Sequence, residues 1–132
     1  MILDTSAMVA ILYREPEAAA FARLIHDSEL CRISVATYLE LSMVVENQLG
    51  AEGMRQAESF FRRAGIVIEP VTIEQGDLAR QAFLDFGKGR HKAALNYGDC
   101  FSYALAKATG EPLLFKGNDF NQTDVEAAAL TD

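Results

Sequence analysis

The chain has 132 residues, half of them hydrophobic and 23% charged, which suits one globular domain with a single core. No run of 18 or more apolar residues occurs, so nothing in the sequence reads as a membrane span, and the opening Met1-Ile-Leu-Asp4 lacks the charged and apolar parts of a secretion signal. The net charge of −7 excludes a generally basic nucleic-acid-binding surface, so any such contact must rest on a local cluster of cations.

Ile2–Leu3 is a short apolar run that ends at Asp4. Ala18, Phe21, Ala22 and Ile25 follow helical spacing, and Pro16 suits a first turn, so a helix is predicted over about 16–27. A second short run covers Cys31–Ser34. Tyr38, Leu41, Val45 and Leu49 then mark a helix from about 35, with Gly50 as its C-cap. Met54, Ala57, Phe61 and Ala64 give a further helix stopped by Gly65. The β-branched Ile66–Ile68 reads as a strand, and Thr72 with Gln75 reads as a capping box. Ala79, Ala82, Phe83 and Phe86 line the next helix. Gly87–Leu95 is a basic loop. Asn96 caps a helix with a face of Phe101, Ala104, Leu105 and Ala108, which Gly110 and Pro112 end. Leu113–Phe115 is a strand followed by a turn to Asp119, and the tail after Val125 fits either helix or strand. Short strands alternating with helices predict a parallel sheet covered on both faces. With no linker, repeat or low-complexity tract, residues 1–132 read as one domain. Cys31 and Cys100 sit in apolar segments outside any Cys/His cluster. They read as buried free thiols in a reducing, cytoplasmic compartment and not as zinc ligands.

In open parallel sheets, ligands bind beyond the carboxyl ends of the strands. Asp4 directly follows the first strand, Asp119 follows the last, and Asp99 lies in the first turn of the helix leading to that last strand. Glu40 lies in the helix after Cys31–Ser34. Its helical neighbours are Ala36, Thr37, Met43 and Val44, and no Lys or Arg lies three or four residues away to pair with it. Local structure offers each acid another use. Asp4 could cap the turn into Thr5-Ser6, Asp99 could complete a cap begun by Asn96, Asp119 is a common turn residue, and Glu40 could pair with a distant Arg. Three or four convergent carboxylates without cations would repel one another, and a hard divalent ion, Mg²⁺ or Mn²⁺, would relieve that repulsion. Other acids, such as Glu17, Glu58 and Asp85, read as solvated helix faces.

The segments Ile2-Leu-Asp-Thr-Ser-Ala7, Thr37-Tyr-Leu-Glu-Leu-Ser42, Asn96-Tyr-Gly-Asp-Cys-Phe-Ser-Tyr-Ala-Leu-Ala106 and Leu113-Leu-Phe-Lys-Gly-Asn-Asp-Phe120, with Thr123-Asp124, follow one another at characteristic spacing. Together they resemble a PIN domain, and within that family the VapC toxins of bacterial toxin–antitoxin pairs, including the FitB-like members. The resemblance implies a three-layer α/β/α sandwich with a parallel sheet of about five strands. It also implies Mg²⁺- or Mn²⁺-dependent endonucleolytic cleavage of RNA, inhibition by a cognate antitoxin, and a homodimer. By position it makes Asp4 and Asp99 the core metal ligands, with Glu40 and Asp119 completing the catalytic acids and Thr5 or Ser6 steadying the first Asp or a water.

A metal-activated water could then attack phosphorus without the 2′-hydroxyl. Lys88, Arg90 and Lys92 in the basic loop, and Lys116 beside the last acid, are candidates for phosphate contact. Tyr97 and Phe120 could stack on a base or pack in the core, and His26 and His91 read as plain surface residues. Three other readings compete. An Asp-dependent phosphatase would want a second Asp two residues after the first, where this chain has Ser6; a phospho-acceptor receiver domain is also a doubly wound acidic sheet, but the order and spacing of the acids fit it poorly; and a non-catalytic binding module could keep the fold and hold a partner protein.

Overall fold

The computed structural model describes residues 1–129, so the last three of the predicted 1–132 domain lie outside the described span. Strands β1 (Ile2–Leu3), β2 (Arg32–Ser34), β3 (Val67–Glu69) and β4 (Leu113–Leu114) form a parallel sheet in the order β3-β2-β1-β4. A fifth segment runs beside β4. The Leu113 N–H donates to the Glu126 carbonyl at 2.8 Å, and the Ala128 N–H donates back to Leu113 at 2.9 Å, so the ambiguous tail is strand-like here.

Helices α1 (Thr5–Leu12), α2 (Ala18–Asp27), α3 (Val35–Ala64), α4 (Ile73–Phe86) and α5 (Tyr97–Thr109) fill the connections. Alternation along the strands divides the core. Ile2 and Leu113 join Ala82, Leu95, Ala104 and Leu105 beneath α4 and α5. Leu3 and Leu114 join Met8, Ile33, Leu41 and Val45 beneath α1, α2 and α3. This is the expected three-layer sandwich with its parallel sheet in the middle. Ile2, Leu3, Leu113 and Leu114 are essentially inaccessible to water, each burial being worth about 1.5–3 kcal/mol.

Three local readings need correction. Helix α1 has no counterpart in the sequence reading, because Ala7-Met-Val-Ala-Ile-Leu12 is apolar throughout and shows no helical period. The two helices predicted around Gly50 run together as α3 with a kink at Gly50, whose φ of 68° and ψ of −165° no side-chain-bearing residue adopts readily. At Thr72 only the forward half of the capping box is recorded, the Gln75 N–H donating to the Thr72 hydroxyl at 3.1 Å. Among the described residues no helix is long and apolar enough to cross a membrane.

Replacing Gly50 by Ala forces a Cβ into that backbone conformation. Urea denaturation should show a loss of about 1–3 kcal/mol, and an unchanged midpoint would mean that the kink can relocate.

Candidate metal centre at the carboxyl edge of the sheet

The chain moves from β1 outward through β2 to β3 and then returns to place β4 on the other side of β1. The crevice between β1 and β4 is therefore the point where the strand order reverses, the place where such sheets bind ligands. Asp4 stands at its mouth, its N–H bonded to the Leu114 carbonyl at 3.0 Å.

Asp4 is buried, with 3% exposure, yet carries a carboxylate. It is the N-cap of α1, and its Oδ2 accepts from the Ser6 N–H at 3.0 Å and the Ser6 hydroxyl at 2.7 Å. Its Oδ1 accepts from the Ser102 hydroxyl of α5 at 2.6 Å. Three donors to one carboxylate offset its removal from water. The Ser6 hydroxyl in turn accepts from the Lys116 N–H at 3.0 Å, which ties the segment after β4 to the same point.

Glu40 comes from the second turn of α3. The Thr5 hydroxyl donates to its Oε1 at 2.5 Å. The two hydroxyls next to Asp4 thus divide between the acids: that of Ser6 bonds to Asp4 and that of Thr5 to Glu40. The Glu40 carboxylate lies against Gly98 in the first turn of α5, so close that any Cβ at that position would overlap its oxygens. The positive end of the α5 dipole favours a carboxylate there.

Asp99 completes a capping box. Its backbone N–H donates to Asn96 Oδ1 at 2.9 Å and its Oδ2 accepts from the Asn96 N–H at 3.1 Å. The structural use foreseen for Asp99 is therefore real, and one oxygen is engaged by it. Burial pushes the Asp99 carboxyl up to about 6, and the negative charges of Asp4, Asp119 and Glu40 add to the rise while the Asn96 N–H opposes it. Asp119 is exposed and makes no side-chain cap, at the head of a short 3₁₀ turn, Phe120–Gln122. Gly117, at φ 106°, turns the chain into this segment, and the buried Phe120 anchors it against Phe115.

The four acids share one electrostatic field without forming a closed cage. Among the described residues, no three Asp, Glu, His or Cys side chains stand close enough together for that, and none of the four is ion-paired with Lys, Arg or His. The donor set is all-oxygen, negative and uncompensated. It fits a hard divalent cation that keeps part of its own water, and it does not fit zinc.

The cationic candidates divide. Lys88 and Lys92 are exposed, without ion pairs among the described residues, in a loop held by the Lys88 N–H bond to Leu95 at 2.9 Å. Arg90 sits over the Phe83 ring, 5.7 Å from its centroid. Lys116 bridges Glu15 and Glu17, each at 3.0 Å, and these bonds hold its ammonium above the usual lysine range. Glu17 is thus a clamp on the segment after β4 and not part of a solvated face. Phe120 is core, whereas Tyr97 is 82% exposed. Sequence reasoning missed Gly98, Thr37 and Ser102. Glycine in a helical first turn hints at a close approach, and Thr37 and Ser102 lie one helical turn from Glu40 and Asp99, respectively.

The PIN domain matches residues 1–126. The chain is similar to ribonuclease VapC30 of Mycobacterium tuberculosis, at 47% identity over 98% of this chain and 99% of the other. It is also similar to a ribonuclease VapC of Mycolicibacterium smegmatis, at 49% identity over 96% and 98% of the two chains. Among solved structures, M. tuberculosis VapC20, described as a sarcin-ricin loop cleaving toxin, superposes with a TM-score of 0.77 at 15% identity, covering 96% of this chain and 97% of that one. FitAcB from Neisseria gonorrhoeae does so with a TM-score of 0.64 at 18% identity, covering 96% and 94%. At such identities the structural likeness speaks for the fold alone.

Asp99 has a folded-state value raised from 3.8 to about 6, so its ionised form weakens the fold above that pH, and the penalty vanishes as pH falls toward 4. In EDTA, Asp99→Asn should stabilise the protein at pH 7 by roughly 1–3 kcal/mol, with the amide oxygen still able to serve the cap. The gain should shrink through pH 6 in thermal melts. A loss of stability independent of pH would mean that the capping role outweighs the charge.

Proposed function

The chain belongs to the PIN-domain family, and from that premise we propose that it is a single-domain, cytoplasmic, Mg²⁺- or Mn²⁺-dependent endoribonuclease, the toxin of a toxin–antitoxin pair. The observation that carries this reading is the set of four uncompensated carboxylates around the β1/β4 crevice. Relatives nearly half identical along their whole length bear the name ribonuclease, which supports RNA as the substrate.

Asp4 and Asp99 would hold the ion directly, with Glu40 and Asp119 binding through water or helping to hold a second ion. The bound cation supplies Lewis acidity for the attacking water and for the charge that develops on the phosphate. Ser6 holds Asp4 in place, Thr5 and the α5 terminus hold Glu40, and Asp119, exposed and with no side-chain hydrogen bond among the described residues, is free to take a proton from an attacking water. Lys88, Arg90 and Lys92, just before the Asp99 helix, supply local positive charge for RNA phosphates against the net −7 of the chain. Lys116 contributes by clamping the Asp119 segment to Glu15 and Glu17.

The phosphatase reading is less favoured, because position 6, where that chemistry wants a second Asp, carries Ser6, whose hydroxyl is spent on Asp4 Oδ2. For the homodimer, Val35, Leu39 and Met43 form an exposed apolar stripe along α3, and Tyr97 stands beside it on α5. A second copy is the proposed cover for this surface, and a cognate antitoxin is the proposed inhibitor.

Purified protein free of antitoxin should cut cellular RNA into discrete fragments with Mg²⁺ or Mn²⁺ and none with EDTA. Asp4→Asn and Asp99→Ala should lower the rate by at least about a hundredfold. Metal-independent cleavage, or none from folded protein on any RNA, would defeat the proposal. Separately, Tyr97→Asp should shift the protein from dimer to monomer in light scattering, and a monomeric parent chain would remove the dimer from the reading.

A further inference from the structure

Ser102 is fully buried on α5, in a stretch where Cys100, Tyr103, Ala104, Leu105 and Ala106 also pack into the core. An apolar side chain would sit there without penalty, whereas a hydroxyl costs free energy unless it is bonded. Its single proton goes to Asp4 Oδ1, since an ionised carboxylate only accepts. Thr37 Oγ1 lies 3.2 Å from Ser102 Oγ and is itself 1% exposed. With the Ser102 proton committed, Thr37 is the donor of that bond. The result is a directed chain, Thr37 to Ser102 to Asp4, that ends on a negative charge.

The placement of this chain is specific. Thr37 lies one turn before Glu40 on α3, and Ser102 lies one turn after Asp99 on α5. Two buried hydroxyls therefore connect the Glu40 helix, the Asp99 helix and the Asp4 strand end from behind the site. A count of acceptor positions adds a further point. Each carboxylate oxygen offers about two lone pairs. Asp4 Oδ2 spends both on the N–H and hydroxyl of Ser6, whereas Oδ1 spends one on Ser102 and keeps one.

We propose that Ser102 is a positioning residue whose hydroxyl, backed by Thr37, sets the orientation of Asp4 so that Oδ1 is the oxygen presented to the divalent cation. The inference rests on the metal-site reading above. Removing a partner that orients a metal-ligating group lowers affinity by roughly 10–100-fold.

The test is calorimetric titration of the metal-free protein with Mn²⁺ alone, beside circular dichroism to verify the fold. Wild type should bind, Asp4→Asn should not, and Ser102→Ala should bind about tenfold more weakly or worse while staying folded. Thr37→Val, which removes the hydroxyl at nearly constant volume, should weaken binding, and Thr37→Ser, which keeps the hydroxyl, should bind more tightly than Thr37→Val. Wild-type affinity in Ser102→Ala, with only the melting temperature lowered, would overturn the proposal and leave the metal site standing. A wild-type protein that binds no Mn²⁺ would remove the metal site and this inference together. If Ser102→Ala does not fold, the Thr37 pair decides: tighter binding by Thr37→Val than by Thr37→Ser would count against the relay.

Discussion

Asp4 carries a carboxylate with almost no solvent contact at the carboxyl end of the central strand, and a charge so placed persists only where hydrogen bonds or a counter-ion offset its desolvation. Much of the architecture around the site answers that requirement. Two donors come from Ser6 in the first turn of α1, and one comes from Ser102 on α5. Ser6 receives the Lys116 N–H, which fixes the start of the segment bearing Asp119. Ser102 is backed by Thr37, which fixes the helix bearing Glu40. One buried charge thereby holds four separate stretches of chain in register, and these stretches carry the other three acids.

The same arrangement leaves the acids under electrostatic tension. Asp99 is partly withdrawn from water and faces three like charges, and its raised proton affinity reports both effects. Among the described residues the acids do not close into a cage: Asp4, Glu40 and Asp99 are each held by their own donors, and Asp119 stands exposed. Cations are used sparingly and indirectly. Lys116 is consumed by Glu15 and Glu17, while the arginine and lysines of the 87–95 loop stand before the α5 terminus and not among the acids. In a chain with a net charge of −7, local positive charge on this loop thus coexists with uncompensated acids.

Much of this was legible from residue order. Binary patterning marks the strands and the helices from α2 onward, because buried faces repeat every two or every three to four residues. The strand ends identify Asp4 and Asp119 as edge acids, and the helical neighbours of Glu40 show that it lacks a local partner. Helix α1 escaped because it is apolar on nearly every side, so periodicity carries no signal there. The continuity of α3 through Gly50 escaped because a glycine with positive φ reads locally as a terminus.

What the sequence determined by itself is therefore the fold class and where the four acids fall relative to the strands and helices, since these depend on local pattern and on motif spacing. The tertiary structure alone decided how the acids are held. That Thr5 serves Glu40 instead of Asp4, that Gly98 is small because a carboxylate lies on it, that Lys116 is tied up by Glu15 and Glu17, and that Ser102 reaches Asp4 across 98 residues are all contacts between segments distant in the chain. Such contacts follow from how the helices pack on the sheet, and side-chain packing at that range leaves no periodic trace in the sequence.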